Sequence, residues 1–408
     1  MKISTIYHKP EEVCKERKKD VQYSSFAKDE VYHPFMRERE FVRALNAVKI
    51  ERMLSKPFVA ALSYHKEGIH VLARHPHQSL FASGSFDGQV MLWDMEQRNL
   101  LKRFECNNPI KGLGVDREAN VYAGQGKSVR RLGDAKVYHC NSEVLDLDMM
   151  ETLNVGTSKG IEIFDLERDF PKQQMSTKYP LCISSSPVLT SIIGVGEQGG
   201  LSLFDARVGK IVHSVSIGSK TNGISFSPNG DVFVSGDEDS CIYLHDIRYL
   251  HEPSGVYRGH GNAVLSVAFN SLGTEIASGS FDKTIRIFGV NERKSRDTYY
   301  NRRMQNVFGV KYSHDSQFIV SGSDDGSVRL WKGYASRKLG PLSRKEKDAL
   351  EYSKALKEKY EDVGEIRRIA KHRFLPKPLK NTLKRIHESH EAAERRRKAR
   401  EVEEEFIG

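Results

Sequence analysis

The chain has 408 residues, a formal net charge of +10, 38% hydrophobic residues, 32 Gly and five Cys. That much apolar material excludes a wholly disordered chain, and no stretch reaches the roughly 18 apolar residues of a membrane span. Cys14, Cys106, Cys140, Cys182 and Cys241 are too scattered for a zinc site or a disulfide framework, so a reducing compartment is expected.

The first segment, MKISTIYHKPEEV, lacks an apolar core and is not read as a secretory signal. KERKK (15–19) is interleaved with acids and reads as unstructured. Residues 1–55 read as an N-terminal extension with a basic amphipathic helix, which starts within HPFMREREFVRALNAVKIERMLSKPF (33–58), Pro34 suiting its first turn. Phe41, Val42, Leu45 and Val48 are its expected apolar stripe; Arg37, Arg39, Arg43, Lys49 and Arg52 are expected on other faces, available to partners. KPFVAALSY (56–64) reads as a strand.

From there a block recurs: ASGSFDGQVMLWD (82–94), a degenerate YAGQGKSVRRLG (122–133), NVGTSKGIEIFDL (154–166), GVGEQGGLSLFD (194–205), VSGDEDSCIYLHD (234–246), ASGSFDKTIRIFG (277–289) and VSGSDDGSVRLWK (320–332). The position of its penultimate aromatic falls at Trp93, Leu132, Phe164, Phe204, His245, Phe288 and Trp331, at intervals of 39, 32, 40, 41, 43 and 43 residues. Each block reads as strand, polar turn, strand, and seven such units predict a seven-bladed β-propeller over 56–332, with 56–64 closing the ring beside the last blade. GQGKS (124–128) lacks phosphate-loop spacing and reads as a blade turn.

The C-terminal stretch, 333–408, is expected to be helical. Ser343 and Glu346 form a capping box; Ala349, Tyr352, Ser353, Leu356, Tyr360 and Val363 follow helical spacing; Gly364 is expected to end that helix. Pro376 and Pro378 interrupt any helix between 365 and 380, and a polar helix runs from Thr382 to Phe406. The charge has an address. Residues 1–57 carry +4, residues 58–332 carry −1, and residues 333–408 carry +7. Arg367, Arg368, Lys371, His372, Arg373, Lys377 and Lys380 offer a dense set of phosphate contacts, Phe374 a stacking surface, and Arg395, Arg396, Arg397 and Lys398 either contacts or an import signal.

The repeats resemble WD40 repeats, whose blades are held by a His–Ser–Asp–Trp relay. His65, Ser83, Asp87 and Trp93 supply it in the first blade; His260, Ser278 and Asp282 supply all but the Trp in the sixth; Ser321, Asp325 and Trp331 supply it in the last, without the His. Because the set recurs, it reads as scaffold and not as a catalytic triad. Asp205-Ala206-Arg207 and Asp246-Ile247-Arg248 resemble the W-D-x-R box of cullin-type ubiquitin-ligase substrate receptors, with Phe204 and His245 in place of its Trp.

The flanks carry a sharper resemblance. HPF-x-R-x-R-E-F-x-x-ALNA-x-K-x-ERM-x-x-KPF before the repeats, with LEYSKALKEKY (350–360), EIRRIAKHRFLPKP (365–378) and the RRRK run after them, resembles the SOF-domain WD40 proteins across essentially the whole chain. That resemblance implies a nuclear, nucleolar, non-catalytic scaffold of the small-subunit processome, needed for maturation of small-subunit (18S-type) rRNA. The implied partners are pre-ribosomal RNA, its small nucleolar ribonucleoprotein and other processome proteins. No enzyme activity, cofactor, metal, membrane or small-molecule substrate is expected. The alternative is a substrate receptor of a cullin-type ligase, acting through Arg207 and Arg248.

Overall fold

A computed structural model describes residues 35–134, 136–373 and 375–407. KERKK, Pro34 and Phe374 lie outside the described residues, as do the side chains of Arg397 and Lys398. The chain divides into two compact units, Met1–Leu54 with Lys338–His372 and Ser55–Arg337 with Arg373–Gly408.

The larger unit is a β-propeller. β1 (Phe58–Leu62) precedes the sheet of β2 (Ile69–Arg74), β3 (Leu80–Ser85), β4 (Gln89–Asp94) and β5 (Leu100–Glu105). Next come β6 (Ile110–Val115), β7 (Val121–Gln125), β8 (Ser128–Leu132) and β9 (Val137–His139), then β10 (Val144–Met149), β11 (Leu153–Thr157), β12 (Gly160–Phe164) and β13 (Gln173–Ser176). A six-stranded sheet holds β14 (Cys182–Ser185), β15 (Ile192–Asp205), β16 (Lys210–Phe226), β17 (Val232–Asp237), β18 (Ile242–Asp246) and β19 (Gly255–Tyr257). A four-stranded sheet comes after it, with β20 (Val264–Phe269), β21 (Glu275–Ser280), β22 (Ile285–Gly289) and β23 (Ser295–Tyr299). In the last sheet β24 (Val307–Tyr312), β25 (Phe318–Ser323) and β26 (Val328–Lys332) are joined by β1, which pairs antiparallel with β26.

The repeat spacing predicts seven separate blades; the described strands form six sheets. The merger lies where two expected blades meet. β15 pairs with β14 through Ile193–Gly196 and with β16 from Gln198 onward; β16 pairs with β17 through Thr221–Phe226. β16 joins the two: it runs unbroken from Lys210 to Phe226, with Lys220 at its middle facing Gln198, so the strand that leaves β15 goes on to β17 with no turn between. GQGKS forms the β7–β8 turn.

The sheets touch through their innermost strands in the cyclic order β2, β6, β10, β14, β16, β20, β24 and back to β2. Apolar layers fill the spaces between them, as with Ala82 and Leu92 against Leu113 and Ala123. One layer lies within the six-stranded sheet, where Leu201 and Leu203 meet Ile224 and Phe233. Another spans the closure, joining Leu62 and Val328 to Phe81 and Trp93. Inner strands are buried on both faces; all five residues of β11 are buried, the polar Asn154 and Thr157 among them.

The smaller unit is helical. α1 (Met36–Arg52), α2 (Arg344–Lys359) and α3 (Gly364–Ala370) pack around Ala44, Val48, Leu356 and Ile366. The Ser343–Glu346 capping box starts α2. Gly364 opens α3 instead of ending α2, which stops at Tyr360. Within α1 the buried stripe is shifted from the expected one: Val42 is 50% exposed, and Ala44 and Glu40 are buried. α4 (Lys377–Ile407) belongs to the propeller unit, with Pro378 in its first turn. The residues expected as one C-terminal domain, 333–408, are thus shared between two units, because their apolar anchors pack on different bodies.

Candidate nucleic-acid and partner interface

In the first blade, Trp93 Nε1 donates to Ser83 Oγ at 2.8 Å, and Ser83 Oγ meets His65 Nε2 at 2.7 Å. His65 Nδ1 lies 3.6 Å from Asp87, too far for a hydrogen bond. Burial pushes the Asp87 carboxyl up, and the backbone N–H groups of Lys66 and Gln89 outweigh it, so the group stays below its usual range. The sixth repeat closes the His–Ser–Asp part: His260 bonds Ser278 at 2.7 Å and Asp282 at 3.0 Å, while Phe288 fills the Trp place without an N–H to donate. Burial holds both His65 and His260 below the ordinary imidazole range, hence neutral at pH 7.

The last repeat differs from expectation beyond its missing His. Trp331 Nε1 donates to Ser321 at 2.8 Å, but Asp325 pairs with the buried Arg329. In the fifth, His245 occupies the Trp place, stacks on Phe233 and bonds Ser235 at 3.2 Å. Burial lowers it to about 4. The constellation recurs at equivalent places in the repeats, with a Ser at its centre each time.

The cations of the extensions fall in two bodies. In the helical unit, Arg367, Arg368, Lys371 and His372 are exposed on and just beyond α3. Arg37, Arg39 and Arg43 are exposed on α1, and Lys49 and Arg52 are half-buried. Two lysines are engaged by α1 instead. Lys359 bonds Glu40 at 2.8 Å and Lys357 bonds Glu51 at 2.6 Å, tying α2 to α1. The Lys359 hydrogen bond outweighs burial and keeps the Glu40 carboxyl below its usual range. No spacing rule picks out these pairs, because they join residues more than 300 apart in sequence.

In the propeller unit, Arg373 is committed to structure: its Nε donates to the Ser295 carbonyl. Arg373 also lies beside the buried Arg286, whose guanidinium burial lowers to about 10, with Arg373 adding to that shift. Beyond it, Leu379 is buried and rests where Gly261 leaves room for it; a Cβ there would meet Leu379 at 2.9 Å. Lys377, Lys380, Arg395 and Arg396 are exposed along α4, with Arg395 3.4 Å from Glu391. Pairs this exposed contribute well under ~1 kcal/mol and leave the cations available.

Arg207 and Arg248 occupy matching turns: each donates its backbone N–H to the carboxylate two residues before it, at 2.9 Å. Their side chains are 78% and 75% exposed, loosely paired with Asp205 and Asp231. The central cavity of the propeller, about 460 Å³, is lined by Asp146, Asp148 and Lys311 among others. Its carboxylates are engaged by the backbone, Asp146 by Ile183 N–H and Asp148 by Ser185 N–H. Among the described residues no group of three or more His, Cys, Asp or Glu is placed to hold a metal ion, and no helix is long and apolar enough to cross a membrane.

Comparison with known proteins matches a Sof1-like domain to residues 333–405, and WD domain, G-beta repeats to 56–94, 209–246, 251–289 and 298–332. The similarity to whole proteins is long. The chain is 34% identical to the human DDB1- and CUL4-associated factor 13 (93% of this chain, 90% of that one) and 32% identical to its Xenopus laevis counterpart (94% and 91%). It is 32% identical to Protein SOF1 of Saccharomyces cerevisiae, over 85% of this chain and 80% of that one.

Proposed function

Because the chain belongs to the family of WD40-repeat proteins with a Sof1-like domain, we propose that it is a non-catalytic scaffold of the small-subunit processome, acting in the nucleolus on maturation of small-subunit rRNA. The observation that carries this reading is the continuous match to Protein SOF1, running from the propeller into the Sof1-like segment. In this reading the neutral propeller holds processome proteins. The exposed cations, Arg367, Arg368 and Lys371 on one body and Lys377, Lys380, Arg395 and Arg396 on the other, meet pre-ribosomal RNA with its small nucleolar ribonucleoprotein. Arg373 anchors the chain that carries the second set. Depletion of the protein is expected to lower mature small-subunit rRNA and accumulate its precursor, read by northern blot. Unchanged mature and precursor levels overturn the reading.

A second reading is a ubiquitin-ligase substrate receptor. It is favoured by the name of the vertebrate relatives and by the matched, exposed geometry of Arg207 and Arg248. It requires a DDB1-type adaptor to co-purify with the chain, and Arg207→Ala with Arg248→Ala to abolish that association. Retention of the adaptor by the double variant removes those two residues from the contact.

A further inference from the structure

α1 carries apolar residues on two opposite sides. One side, Ala44 and Val48, is buried against α2 and α3. On the other, Val42 is 50%, Ile50 59% and Met53, the residue capping the helix, 44% exposed. Spacings of eight and eleven residues return to one face of a 3.6-residue helix, so these three form a row. Arg39, Arg43 and Lys49 border it; Arg43 is exposed and also donates to the Tyr352 hydroxyl of α2 at 3.2 Å, and Lys49 is half-buried. A lone exposed aliphatic residue is ordinary, but a row flanked by cations, opposite a face already buried, is a surface with a use.

We propose that this outward face of α1 docks an acidic amphipathic helix of a partner protein, its aliphatic residues covering Val42, Ile50 and Met53 and its carboxylates meeting the flanking cations. Nucleic acid fits the surface less well. Phosphates reward the cations, but a sugar-phosphate backbone gives no burial to aliphatic side chains. A second copy of the chain would bring the same cations against themselves. The assignment does not rest on the ribosomal reading, since a helix-binding face serves a scaffold of any assembly.

The test uses the full chain and two fluorescein-labelled peptides of about 18 residues, long enough for five helical turns. Both carry leucines at the row's spacing; one has glutamates beside them, its twin lysines. Anisotropy is expected to show binding of the glutamate peptide alone, weakened about tenfold or more by Val42→Asp with Ile50→Asp. Arg43→Gln with Lys49→Gln, which leaves the apolar row untouched, is expected to weaken it as well. Binding of a single-stranded RNA probe should stay at the wild-type level in both variants. Equal binding of the two peptides, no binding of the glutamate peptide, or full affinity in both double variants overturns the proposal. Loss of RNA binding in step with peptide binding assigns the face to RNA and overturns it too. An intact peptide response alongside unaltered rRNA processing on depletion would instead sink only the processome reading.

Discussion

Asp237 ends β17 in a place where Ser85, Ser280 and Ser323 stand in other repeats. Ser85 and Ser280 each accept the backbone N–H of the turn Asp two residues on and donate to a backbone carbonyl, closing their turns. Asp237 is fully buried, and neither of its oxygens finds a hydrogen bond. Burial pushes its carboxyl up to about 7, and nearby Asp239 adds to the shift; Thr221 offsets part of it without closing a bond. A carboxyl whose folded pKa is raised holds its proton more tightly when folded. Its contribution is therefore most favourable below the ordinary carboxylate range, falls as pH rises towards 7, and is flat above that. Asp237→Ser is expected to raise stability by roughly 2 kcal/mol at pH 8 and by little at pH 4, measured by urea denaturation at both pH values. An equal gain at both would assign the effect to shape and not to charge.

The blade is the element whose hold depends on the relay, and the blades are unequal. In the first, Ser83 serves two buried groups, Trp93 and His65; in the last, Ser321 serves Trp331 while Asp325 is engaged by Arg329. Removing a hydroxyl strands one buried partner at about 1–3 kcal/mol, so Ser83→Ala is expected to cost about 1 kcal/mol or more beyond Ser321→Ala. Comparison of denaturation midpoints decides it, and equal shifts would show His65 to be indifferent to the bond. This part of the fold was legible in the sequence, since the relay is written in residue identities at fixed spacings. The sheet count was not. Whether residues 217–220 turn or stay extended, carrying β16 from β15 on to β17, depends on the pairing of Lys220 with Gln198, more than twenty residues away. The burial of α1 escaped for a different reason. A helix with apolar residues on both sides supports more than one stripe, and only packing against Leu356 and Ile366 chooses Ala44 over Val42.

At the scale of the molecule, the division of charge into a near-neutral propeller sequence and two basic extensions stands in the composition itself. What contiguity concealed is that Arg367–His372 and Arg373–Lys380, neighbours in sequence, belong to different bodies. Leu379 on Gly261 and Arg373 on Ser295 tie the second stretch to the propeller, and no residue type announces such a divide. The pairing of β1 with β26 adds a constraint on the order of events. The first strand of the propeller, at residue 62, has its partner at residue 328. At a translation rate of about 5–20 residues per second, that partner emerges from the ribosome on the order of tens of seconds later. Until then β1 presents an open edge, and the apolar layer between the first and last sheets has only one wall. A ring fastened by its two ends gains no closure from a nearly finished chain. The newborn protein therefore stays exposed to wrong pairing for most of its synthesis, and any variant that slows arrival of the last repeat lengthens that exposure without altering a contact of the finished fold.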